Sequence, residues 1–202
     1  MYKKQMTFQR VVCLLCIIAS AVAFLYALGM MTDLYDMLYT MIPDPEELDN
    51  AKVAGARIYY DMQDFNHTLL KASIGLILLA CLLFITNTHS RRKYYIGNCV
   101  VVGLNAVAAV AASVWTHIQV AAYKTQYLTT VDFAQLERRL SRAGTYTDST
   151  FWFDIHWFVC VFLLVAAGLL VYNLIWKMNL MKGEAELLQG SGADAEISGK
   201  AV

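Results

Sequence analysis

Three of the four histidines, His67, His117 and His156, fall near the ends of apolar stretches in this 202-residue chain, with Asp64 and Asp154 close by in sequence. Imidazoles on different helices can ligate a haem iron, or hold zinc or copper together with a carboxylate. The same rings also gather at the edge of a bilayer, where amphipathic side chains are favoured, and Trp115, Trp152, Trp157 and Tyr123 belong to that belt. A haem held across a membrane would want histidines toward the opposite end as well, where only His89 occurs. No cofactor is therefore expected, and a haem- or metal-binding anchor of a redox enzyme stands as the alternative.

Cys13-Leu-Leu-Cys16 has the C-x-x-C spacing of redox motifs. Quinone-linked disulfide formers place such a pair at the outer surface, near a second pair in a loop. Here all five cysteines (Cys13, Cys16, Cys81, Cys99, Cys160) lie in apolar stretches, so Cys13 and Cys16 read as apolar-face residues. With no cysteine in the loops, no disulfide framework braces them, which argues against claudin-like and connexin-like proteins. There is no P-loop, Gly-rich nucleotide motif, H-E-x-x-H or G-x-S-x-G, so no enzyme is expected. Arg91-Arg92-Lys93 is accounted for by topology and lipid headgroups, without nucleic acid. Asn66-His67-Thr68 matches a glycosylation sequon but abuts an apolar stretch.

The elements that would position these residues are four apolar runs, about 11–31, 69–86, 96–118 and 156–176. Each meets or nearly meets the roughly 20 residues that cross a bilayer as a helix. Hydrophobic residues make up 58% of the chain and charged ones 16%. A soluble domain usually carries about a quarter charged residues, so much of this surface is expected to face lipid. The first run is too long for the usual signal-peptide core and continues into an amphipathic extension, which favours a retained signal anchor. The expected fold class is an all-α integral membrane protein, a four-transmembrane-helix bundle with helical extracytoplasmic extensions.

Orientation follows from charge. The N-terminal tail and the 89–93 turn hold Lys3, Lys4, Arg10, Arg91, Arg92 and Lys93 and no acid, whereas the loops at about 32–68 and 119–155 are acidic. Basic residues next to membrane helices stay cytoplasmic, so both termini are expected inside. In the first loop, Leu34, Met37, Leu38 and Met41 continue one helical face until Pro43 and Pro45 stop it. In the second, Asp132 with Gln135 predicts a capping box opening a short helix, 133–142, and Asp148 or Ser149 could cap the fourth span. Residues 183–202 are rich in Gly, Ala and Glu, a composition that predicts a disordered tail.

A carrier needs an ionisable group or a broken helix near mid-membrane. These spans offer only Ser20, Ser73, Asn105 and Ser113 and contain no proline. A homo-oligomeric channel or carrier is accordingly a further alternative only. Small residues abound instead, above all from Gly103 to Ser113, and let helix backbones approach closely in lipid. Gly103, Ala106, Ala109 and Ser113 are candidate contacts for a partner helix. Tyr35, Tyr39, Tyr59, Tyr60, Asp61 and Asp64 are candidates on the outer cap. The leading expectation is a non-catalytic accessory or scaffolding subunit of a larger membrane complex, a transporter above all, whose partners are the lipid bilayer and other integral membrane subunits. The chain resembles the small four-span proteins of Gram-positive bacteria, which implies a bacterial plasma membrane and supplies no functional residue.

Overall fold

Four long helices account for nearly all of the computed structural model, which describes residues 2–32, 57–89, 95–135 and 149–199, with side chains as far as Glu186. They are α1 (Tyr2–Thr32), α2 (Ile58–His89), α3 (Tyr95–Thr130) and α4 (Phe151–Gly199). All four are long and apolar enough to cross a membrane. The expected continuation of the first helix through Tyr35 and Tyr39 to Pro43, the Arg91-Arg92-Lys93 turn and the remainder of the 133–142 helix lie outside the described residues. So does the side chain of Tyr59.

The buried positions explain the packing. On α1 they include Gln5, Gln9, Val12, Cys16, Ala19, Ala23, Tyr26 and Met30, alternating steps of three and four. That period of 3.5 keeps one seam facing its neighbours, as in left-handed helical bundles. On α4 the same rhythm gives His156, Val159, Leu163, Ala166, Leu170, Asn173 and Lys177. Between the seams, large apolar side chains point outward, Leu25 at 64% exposed, Leu78 at 66% and Val107 at 68% among them. In a bilayer, whose tails are as apolar as leucine, helices are held together by close backbone approach and interhelical hydrogen bonds rather than by hydrophobic transfer.

Pairs of contacts show that neighbouring helices are antiparallel. From α1 to α4 the Gln5 amide reaches Asn173 (3.0 Å) and the Cys16 thiol reaches the Ala166 carbonyl (3.9 Å). From α1 to α2, Gln9 donates to the Asn87 carbonyl and Asn66 to the Met30 carbonyl. From α3 to α4, Ser113 meets Cys160, His117 meets His156 and Lys124 meets Asp154. Each helix thus packs against two others, in the order α1–α2–α3–α4–α1, and α2–α3 is the most sparsely contacted of the four seams.

The caps follow local chemistry. Ser149 Oγ accepts the Phe151 backbone N–H at 3.4 Å, and Asp154 lies in the first turn of α4, where the helix dipole favours an anion. Asp132 Oδ1 accepts the Gln135 N–H at 2.9 Å, the cap predicted for the short helix. At the other end, α4 is helical through Gly199, over the segment whose composition predicts disorder. Its Glu184-Ala185-Glu186-Leu187-Leu188 run consists of strong helix formers, which outweigh the flanking glycines.

Candidate functional site

Helices α3 and α4 bring His117 and His156 together near the end opposite the termini. His117 Nδ1 and His156 Nε2 are 3.0 Å apart, and the rings stack at 5.3 Å with 14° between planes. His156 Nδ1 hydrogen-bonds the Phe153 carbonyl, and because a carbonyl only accepts, that nitrogen carries the hydrogen. When His156 is neutral, its Nε2 therefore accepts from His117 Nδ1–H. Both ring nitrogens of His156 are engaged, which leaves it no lone pair for a metal in this arrangement. His67, the third candidate, is exposed on α2 and does not join the pair. Among the described residues no group of three metal-ligating side chains converges.

Around the pair, Trp157 packs on His117 at 4.4 Å between ring centres, and the Lys124 ammonium pairs with Asp154, which also accepts from Thr150 Oγ1 at 2.6 Å. On the neighbouring seam, Tyr123 donates to the Asp61 carbonyl at 3.0 Å, and Phe65 packs between Trp115 and Tyr123. The ends of α2, α3 and α4 opposite the termini are thereby tied together. Asp61 and Asp64 are exposed there, Asp61 3.7 Å from Arg57, whereas Tyr60 is packed against the core.

A second feature opens on the outside of the α2–α3 seam. Ala72, Gly75, Ala108, Ala111 and Ala112 line a groove of ≈ 460 Å³, with Leu76 and Leu79 in its wall and Thr68 and Trp115 toward one end. A Cβ built on Gly75 would meet nothing within 4 Å. Here the structure divides the residues that the sequence offers for partner contact. Gly103 is exposed and Ala106 half-buried, but Ala109 and Ser113 are buried in the interior. Ser113 donates to the Ala109 carbonyl at 2.8 Å, and the Cys160 thiol donates to the Ser113 carbonyl at 3.5 Å. The geometric reason is drift: at about 100° per residue, Gly103 lies roughly 120° around the helix from Ala109, so the four cannot share a face. The small residues of α3 that line the groove are Ala108, Ala111 and Ala112 instead.

A third feature escapes a hydropathy reading. At the end carrying both termini, Gln5 and Gln9 of α1, Asn87 of α2, Asn98 of α3 and Asn173 and Lys177 of α4 are all buried. Gln5 Nε2 donates to Gln9 Oε1 and to Asn173 Oδ1, each at 3.0 Å, while Asn87 Nδ2 donates to the Leu83 carbonyl at 3.1 Å. Gln5 Oε1 is buried with no hydrogen-bond partner among the described residues. By sequence Lys177 counts as a cation of the tail, but only 9% of it is exposed. The 3.5-residue rhythm would have found these positions, since carrying it past the apolar runs lands on Gln5 and Gln9 at one end and Asn173 and Lys177 at the other. Deeper in, Asn105 and Ser20 line a central cavity with Cys16, Ala109 and Leu163, with room for about one water molecule.

No protein-family model matches the chain, and neither the curated proteins nor the solved structures contain a significant match to it.

Proposed function

We propose that this chain is a four-span integral membrane protein of a bacterial plasma membrane, with both termini cytoplasmic. In this reading it is a non-catalytic subunit of a larger complex of the transporter class, and it receives one transmembrane helix of a partner in the α2–α3 groove. The groove carries the proposal. Five of its nine lining residues are alanine or glycine, the residues that let helix backbones approach within hydrocarbon, and it lies on the sparsest seam. From Thr68 to Leu79 it follows about three turns of α2, roughly 16 Å at 1.5 Å per residue, which suits a crossing helix.

Membrane insertion is supported by the spacing of aromatic residues. Trp157 is exposed on α4, and nineteen residues later Trp176 packs with Phe8 and Tyr172. That separation is about 28 Å along a helix, close to the roughly 30 Å hydrocarbon thickness, with aromatic rings at both borders. The excess of lysine and arginine at the end with the termini supports the orientation.

The test is site-specific photo-crosslinking in the native membrane, with the probe at Ala72 or Ala111 on the two groove walls and, as control, at Leu164 on the outward face of α4. The expected result is one adduct common to both groove positions, mapping to a single membrane-spanning segment of another protein, and absent from Leu164. Lipid adducts alone, or the same pattern from Leu164, would refute the docking role.

A further inference from the structure

The inner polar layer holds a charge that the fold leaves uncompensated. Lys177 is nine-tenths buried on the inward face of α4, and no carboxylate among the described residues pairs with it. The titratable side chains facing it are the thiols of Cys13 and Cys99. Glu184, the next acid along that face, lies seven residues on, about 10 Å along the axis. With its stem buried and no carboxylate of the described residues beside it, the ammonium is left to a counter-ion from outside the chain.

Its neighbour one turn away supplies what a counter-ion would need. Asn173 precedes Lys177 by four residues, so the two side chains sit one above the other on one face. The Asn173 carbonyl oxygen is taken by Gln5, which leaves its NH₂ to donate elsewhere. The pair therefore offers an ammonium and an amide donor, which the oxygens of one phosphate answer together. The depth agrees, since Lys177 follows Trp176, where headgroup phosphates lie, and the exposed Lys3, Lys4 and Arg10 flank this end.

We propose that Lys177 and Asn173 form a recognition site for a phosphate-bearing anion at the inner end of the α1–α4 seam. The anion is either free phosphate or the headgroup of an anionic phospholipid, recognised by the same contacts. This site is independent of the α2–α3 groove.

The experiment uses the full chain in dodecyl maltoside, which contains no phosphate. The unfolding midpoint is followed while inorganic phosphate is titrated against chloride at constant ionic strength, and separately while phosphatidylglycerol is added. A ligand that binds only the folded state raises the midpoint with the logarithm of its concentration. A rise with phosphate identifies the free ion, and a rise with phosphatidylglycerol alone identifies the lipid headgroup. In either case Lys177→Met weakens the apparent affinity at least tenfold, whereas Lys177→Arg keeps most of it. No rise in either arm, or an equal rise in Lys177→Met, overturns the proposal. If Lys177→Met does not accumulate, ³¹P NMR of the wild-type chain decides: a shifted resonance saturating at one equivalent supports the site, and an unshifted one overturns it.

Discussion

Replacing Gly29 with alanine tests a close approach of α1 to α4. A methyl group on Gly29 of α1 would overlap the Trp152 ring of α4 at Cη2 and Cζ3 and sit 3.2 Å from Cε3. Carbon atoms rest at about 3.5–4.0 Å, so the indole must retreat by about 1 Å or more. It is not free to do so cheaply, because it also packs edge-on against Phe151 with ring centres 5.5 Å apart. Overfilling a packed site costs about 1–3 kcal/mol. Alanine also gains about 1 kcal/mol in helix propensity over glycine, which would blur the result if Gly29→Ala were read alone. Gly75→Ala removes that ambiguity, since it gains the same propensity and meets nothing within 4 Å. The difference between the two variants isolates the overlap. At about 2–4 °C per kcal/mol for a chain of this length, Gly29→Ala should melt roughly 2–12 °C below Gly75→Ala. The assay is tryptophan-fluorescence melting in detergent at a fixed scan rate. A double-mutant cycle with Trp152→Leu adds a second reading, because the penalty at Gly29 should largely vanish once the ring is gone. Equal midpoints for the two alanine variants, or a penalty that survives Trp152→Leu, would refute the α1–α4 packing described above.

Other outcomes follow from the same geometry. Gly75→Phe fills the groove outward, so it should leave the melting of the isolated chain within about 2 °C while abolishing the crosslink from Ala111, as measured on the doubly substituted protein. In ¹⁵N-histidine NMR, His156 should carry its hydrogen on Nδ1, and an Nε2–H tautomer would contradict the Phe153 contact. Maleimide labelling of the folded chain should modify Cys81 and Cys99 well before the buried Cys13, Cys16 and Cys160, and comparable rates at all five would contradict the packing of the seams. A cysteine introduced at Lys182, with the native ones replaced by serine, should react in intact cells only with membrane-permeant reagents. Reaction with an impermeant reagent would reverse the proposed orientation.

Hydropathy reveals the four helices because apolarity over twenty residues is a long-range, redundant signal that single side chains cannot erase. The capping of the short helix by Asp132 was also legible, since the bond runs within three residues. Residues whose role depends on rotation about a helix axis were harder to read. Ala109 and Ser113 share their type with Ala108 and Ala111, and only the register set by all four helices turns the first two inward. The same holds for the histidines. His67, His117 and His156 occupy similar depths, yet rotation puts two in contact and leaves the third outside. Asn66, the acceptor position of the sequon, is fully buried with its amide directed at the Met30 carbonyl, which its polar neighbours in sequence do not suggest. Lys177 was obscured by convention, because a lysine after an apolar run is ordinarily read as a boundary.

The Gln5–Asn173 and Gln9–Asn87 bonds have a further effect. A seam of alanines and other small residues at 3.5-residue spacing is nearly self-similar, so one helix could slide past another by a heptad and find equivalent holes. Polar side chains at one end remove that degeneracy. A heptad shift of α4 would carry Asn173 away from Gln5 and leave two buried amides unmatched, and unmet buried hydrogen bonds are expensive. A single polar residue on an apolar seam is known to set alignment in this way at some expense in stability. The amide layer therefore acts as a vernier stop: it fixes the axial alignment that brings Trp152 over Gly29 and His156 against His117, about 32 Å and 26 Å away along α4.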